Sequence, residues 1–200
     1  MSLVFSSFGN LGLALAKSKH LCLIALLPPQ EVQQFANEIK QHFAEVYNSH
    51  HAQKSPPHVT LQPPFHWQQE DSPTLEQKLS HFAKAQSPVP MTLSGFGAFA
   101  PRVIYINVLK TPQLLAMQKQ LMTELEESFG IVHPASKNRP FSPHLTVAFR
   151  DLTKPNFRAA WQEFQQRSLY FEFTVSQLTL LIHNGKQWEI GNEFSFEGEG

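Results

Sequence analysis

The sequence predicts a layered α/β or α+β protein built from two similar halves. Three observations carry this reading. Short apolar runs bounded by proline or glycine alternate with amphipathic segments at helical spacing. Their order repeats: strand, helix, strand, helix, strand, and then the same again from Val103. One short motif also recurs at the same point of each half, with His58 and His144 86 positions apart and the opening strands, at Leu21 and Val103, 82 apart. A nearly constant offset between matched features points to an internal duplication that yields two lobes.

Each element has a local cause. Residues 20–27 (HLCLIALL) form a continuous apolar run stopped by Pro28-Pro29, the pattern of a buried strand. Over 31–46, Val32, Phe35, Ile39 and Phe43 share one helical face. Residues 48–57 are a polar loop, and 58–62 a short strand limited by Pro63-Pro64. A second helix spans 74–85, and 89–99 reads as a strand bent at Gly95 and Gly97. Pro101 marks a turn before a strand at 103–109. A long helix opens at Thr111-Pro112 and runs to about Phe129. Residues 131–140 are loop, 141–149 strand and 155–166 helix. A final hairpin, 169–182 with 186–196, turns at Asn184-Gly185. The expected organisation is one bilobal domain over 20–200, with lobes at roughly 20–100 and 101–182 and a last strand at 186–196. Residues 1–19 precede it as a segment of uncertain order.

Composition narrows the function. Hydrophobic residues make up 42% of the 200 residues, and charged ones only 16%, so a sizeable core can be buried. Lys+Arg and Asp+Glu balance at 16 each. A protein that wraps a long duplex carries a basic excess, so this balance favours a small nucleotide or an RNA end. Cys22 is the only cysteine, which leaves no internal disulfide and no cysteine-based zinc site and fits a reducing, cytoplasmic setting. No run is long enough to span a membrane. Leu11 to Ala16 is apolar and ends in Ala-Leu-Ala, but no Lys or Arg precedes it, as a secretory leader requires.

The chemistry lies in the repeated motif. Its copies are Pro57-His58-Val59-Thr60-Leu61 and Pro143-His144-Leu145-Thr146-Val147. On a strand, residues i and i+2 share a face. Each His and its Thr therefore point one way, and the aliphatic residues point to a core. Cleaving a phosphodiester takes a base to activate the nucleophile and an acid to protonate the leaving oxygen, and histidine serves both near neutral pH. Two threonine hydroxyls can donate to the charged phosphoryl oxygens. A lone His-x-Thr in a strand is usually structural. Two copies at matching points of a repeated order are hard to obtain by accident.

With both copies in view, the chain resembles the 2H phosphoesterase superfamily, which includes 2',5' RNA ligase-like proteins and RNA 2',3'-cyclic phosphodiesterases. The resemblance runs from about His20 to Phe196, and the stretch from Phe141 to Leu152 (FSPHLTVAFRDL) is especially similar to bacterial members. It implies an α+β bilobal fold, with two antiparallel sheets lining a central cleft and helices outside. It also implies metal-free opening of a 2',3'-cyclic phosphate to a 2'-phosphate, with His58 as acid and His144 as base, no cofactor, and an RNA 3' end or a small cyclic nucleotide as partner. No obligate protein partner is evident. Two further readings are 2',5' ligase or 2',5'-phosphodiesterase activity and a non-catalytic nucleotide- or RNA-binding module. The chain departs from the family at one point. Many members carry Arg five positions after the second His, where this chain has Phe149 followed by Arg150.

Other candidates flank the motifs. Strand parity places Arg150 on the face of His144. The loop before the first motif carries His50, His51 and Lys54. The one before the second carries His133, Lys137 and Arg139, with Arg139 nearest its motif. Phe65, Trp67 and Phe141 are placed to stack on a base or to pack in the core. Tyr105 and Asn107 alternate on a strand that can flank the cleft. The spacing of His50, His51 and His58 matches no standard metal site, and no metal is expected.

Overall fold

The computed structural model describes residues 18–137 and 139–198. The Leu11 to Ala16 segment lies outside them. In chain order the elements are β1 (Lys19–Leu26), α1 (Gln30–Tyr47), β2 (Val59–Gln68), α2 (Ser72–Lys84), β3 (Val89–Phe99), β4 (Val103–Val108) and α3 (Pro112–Phe129). They continue with the short α4 (Pro134–Lys137), β5 (His144–Ala148), α5 (Lys154–Phe164), β6 (Tyr170–Val175), β7 (Gln177–His183) and β8 (Trp188–Ser195). The fold is α+β. No helix among the described residues is long and apolar enough to cross a membrane.

The expected pair of sheets is instead one. Among the described residues, eight antiparallel strands lie in the order β6-β3-β4-β5-β2-β1-β7-β8. The two motif strands, β2 and β5, meet at its centre through a single register pair, Val59 with Leu145. The two surfaces are thus flanks of a continuous sheet that is thinnest where they join. β3 leaves the first half of the chain to pair with β4, while β7 returns from the second half to pair with β1. Only Ser176 separates β6 from β7, yet they stand first and seventh in the sheet order. A one-residue link can join them only if the sheet curls, which gives a half-barrel.

The same link corrects the predicted strand over 169–182, which is two strands serving opposite flanks. β2 also runs through Pro63-Pro64. These prolines fall where Leu23 of β1 is opposed by two residues, between the pairs Cys22–Phe65 and Ile24–Gln62. Such a bulge asks no ladder hydrogen bond of them.

The helices pack on the apolar side of the sheet. Thr111 and Thr153 cap α3 and α5 by accepting from the backbone N–H groups of Leu114 and Asn156, and Gly130 closes α3 in the left-handed conformation. Phe43 of α1, fully buried, stacks on Phe164 of α5 with ring centroids 4.8 Å apart. Val59, Leu61, Leu145 and Val147 are all buried in this core. Period-two alternation then sends Thr60, His144 and Thr146 to the other face.

Candidate active site

Both histidines are held by the same local device. The Nδ1 of His58 donates to the carbonyl of Pro56 over 2.7 Å, and the Nδ1 of His144 donates to the carbonyl of Ser142 over 2.7 Å. A carbonyl can only accept, so each Nδ1 carries the hydrogen and Nε2 is left to gain or lose a proton. The proline of each Pro-His pair sits inside this turn, where it fixes φ and has no N–H to compete for the carbonyl. That is the physical content of the repeated Pro-His.

Burial disfavours the protonated form of both imidazoles. It pushes His58 down to about 4, against the opposing pull of the Pro56 carbonyl, with smaller lowering contributions from the charges of Lys40 and His144. Burial likewise holds His144 below the ordinary histidine range, while the Ser142 carbonyl pulls the other way. Lys40 is itself 2% exposed and is brought down to about 7 by burial. Its Nζ donates to the carbonyl of Ser55 over 2.8 Å, which ties α1 to the turn that carries His58.

His58, Thr60 and Thr146 line one cavity of about 550 Å³. His144 is not among the residues that line it; its ring lies against those of Tyr105 and Phe99, with centroids 5.1 and 5.0 Å away. Tyr105 reaches this position by lying across Gly97 on the neighbouring strand, where an added Cβ would come within 2.5 Å of its ring.

Phe149 and Arg150 also line the cavity, but not by the predicted parity. β5 ends at Ala148, and Arg150 adopts a left-handed φ of 64°. Its Nη1 donates to Nε2 of His51 over 3.1 Å. Burial first, then the charge of Arg150, hold His51 below its usual range. His51 packs edge-on against Phe149 at 4.9 Å, and His51 and Lys54 both line the cavity.

Asp151 secures this corner. Its Oδ1 accepts from the Ser49 hydroxyl over 2.9 Å, and its Oδ2 accepts from the backbone N–H groups of His50 and His51 over 2.8 and 2.9 Å. A residue four positions past the second motif thereby holds the loop that leads into the first. Asp151→Ala is expected to destabilise the protein by about 1–2 kcal/mol, because two backbone donors lose a charged acceptor. Urea denaturation reads that loss. Faster amide exchange at His50 and His51 would place it in the loop.

Other predicted residues lie elsewhere. Phe65 is in the core, where it follows the apolar face of β2, and Phe141 is half-buried against the same core. Trp67 packs on Phe129 at 5.0 Å. Arg139 is exposed and is not among the cavity's lining residues. The side chain of Lys137 falls outside the described residues. Among the lining residues that sequence patterns did not single out are His183, Lys186 and Trp188. The Asn184-Gly185 turn signalled their hairpin, and only the pairing of β7 with β1 brings it to the cleft.

The sequence profile of the 2'-5' RNA ligase superfamily matches residues 28–187. The chain belongs to this superfamily, the 2H phosphoesterases. Among its relatives is a Geobacillus kaustophilus protein whose name proposes a phosphoesterase, 28% identical over 180 residues that cover 88% of this chain and 96% of the relative. A Bacillus cytotoxicus protein named in the same way is 28% identical over 174 residues, covering 86% and 94%. Two solved structures share the fold. TT0787 of Thermus thermophilus superposes with a TM-score of 0.64 at 21% identity, covering 90% of this 2H phosphoesterase and 100% of TT0787. LigT of Escherichia coli, solved with 3'-AMP, gives 0.63 at 17% identity, covering 90% and 99%.

Proposed function

We propose that this 2H phosphoesterase opens 2',3'-cyclic phosphates of RNA ends or nucleotides, with His58 and His144 as acid and base and no metal in the step. The observation that carries this reading is the matched tethering of the two imidazoles through Nδ1, in two motifs whose His58, Thr60 and Thr146 line one cavity. A water attacks phosphorus as one Nε2 takes its proton. The other Nε2 returns a proton to the departing 3'-oxygen, and the product is a 2'-phosphate. The family resemblance assigns the acid to His58 and the base to His144. Thr60, Thr146 and Arg150 are the donors for the phosphoryl oxygens.

Burial disfavours the charged form of both imidazoles in the free protein, so bound substrate must help the acid to hold its proton. A phosphate anion beside Nε2 favours the charged imidazolium and supplies that shift. The structures of LigT with 3'-AMP, NADP+ and ATP support a phosphate-bearing ligand in this fold.

The matched tethers also favour a second reading, cleavage or joining of 2',5' linkages, in which the two histidines exchange duties. The deciding experiment incubates adenosine 2',3'-cyclic phosphate with the protein in the presence and absence of chelator. The expected product is 2'-AMP in both, with a rate that is bell-shaped in pH. Activity abolished by chelator would sink the metal-free step. Release of 3'-AMP would reverse the leaving-group assignment. Turnover confined to a 2',5'-linked dinucleotide would select the second reading, and tight nucleotide binding without turnover would select a binding module.

A further inference from the structure

The cavity extends well beyond the two motifs. On one flank its wall crosses four strands, from Thr60 on β2 through Leu21 and Leu23 on β1 and His183 on β7 to Trp188 on β8. The register fixes the outer row, because His183 pairs with Leu21 on one side and with Trp188 on the other. Three strand spacings separate β2 from β8, roughly 14 Å. One phosphate held between the histidines does not fill that length.

The far end has its own chemistry. Trp188 is half-buried, packed on Leu23, Ala25 and Leu181, and set edge-on to His183 at 5.2 Å. The Nδ1 of His183 accepts from the backbone N–H of Gly185 over 3.1 Å, so its hydrogen sits on Nε2 as a donor. Lys186 is exposed at the tip of the hairpin and lines the same wall. Among the described residues, the charged ones that line the cavity, Lys54, Arg150 and Lys186, are all cations, and none of the lining residues is a carboxylate. The hairpin's own Glu189 accepts instead from Asn184 and Gln187.

We infer that His183, Lys186 and Trp188 form a second subsite, taking a phosphate and a base beyond those held at the histidines, so that the preferred ligand is an RNA end of at least two nucleotides. An indole face gives a base a stacking surface without demanding a particular sequence, and a lysine beside it meets the adjoining phosphate. The inference rests on the two-histidine cavity being the reaction site. It adds which substrates that site prefers.

The test is calorimetric binding of three product-like ligands: 2'-AMP, adenosine 2',5'-bisphosphate and a diadenosine dinucleotide ending in a 2'-phosphate. The dinucleotide is expected to bind the unmodified protein about tenfold more tightly than 2'-AMP. In Lys186→Ala and Trp188→Leu that ratio should fall toward one. Lys186 is exposed on a turn, so its replacement reads the subsite even if Trp188→Leu fails to fold. Equal binding of dinucleotide and 2'-AMP, or a ratio unchanged in both variants, overturns the subsite. A bisphosphate as tight as the dinucleotide overturns the second base. These measurements need no turnover. Failure of the proposed reaction would leave the binding ratio intact, whereas failure of the subsite would leave hydrolysis of a cyclic mononucleotide intact.

Discussion

Replacing His58 by alanine is expected to lower kcat/KM for a 2',3'-cyclic nucleotide by about 10²–10⁴, and His144→Ala should cost as much. Each removes the imidazole that its motif supplies to the proposed reaction. Neither ring belongs to the apolar core, so both variants should fold. Stability provides an independent readout. The His58 imidazole sits near 4 in the folded chain against an ordinary 6.5. Between those values the unfolded chain binds a proton that the native protein refuses, so stability falls as pH drops from about 6.5 toward 4. His58→Ala should remove that one-proton slope while losing activity. Urea titrations at pH 4, 5, 6 and 7 measure it. A His144→Ala protein that turns over normally would show that the site lies elsewhere.

The threonines should follow with a smaller loss. Thr60→Val and Thr146→Val keep the β-branched shape that suits a strand and delete only the hydroxyl. If those hydroxyls donate to phosphoryl oxygens whose charge grows in the transition state, each change should lower kcat by about 10², with little change in KM. Steady-state kinetics on the cyclic substrate separate the two parameters. A rise in KM at constant kcat would mean that the hydroxyls bind substrate and transition state alike. Unchanged kinetics in both variants would remove them from the chemistry.

The motif residues were legible because strand geometry ties i to i+2, and because the same five-residue pattern stands twice at matched positions. The helices were legible from their apolar spacing. What escaped the sequence depended on pairing partners. The single sheet rests on one contact between Val59 and Leu145, which no local pattern announces. Pro63-Pro64 read as a stop, since nothing in their own segment shows the bulge opposite Leu23. The apolar stretch around Ser176 looks continuous, yet its two halves bond to opposite flanks. Arg150 reached the cavity through a left-handed residue past the strand's end, where parity no longer applies. Trp188 and Lys186 gave no motif, because their nearness to His58 comes from the strand order alone.

The paired backbone tethers carry one more consequence. With both Nδ1 positions committed to carbonyls, each ring has a single working nitrogen and cannot flip to pass its proton around. Once a cyclic phosphate has opened by the proposed route, the acid imidazole has given its proton to the 3'-oxygen and the other imidazole holds the proton taken from water. The protein therefore leaves each turnover as a charge isomer of the substrate-bound form that began it. Before the next cycle it must reset, by exchange with buffer or through water in the cleft. At saturating substrate that reset competes with product departure for control of the rate, and it would appear as sensitivity to buffer concentration.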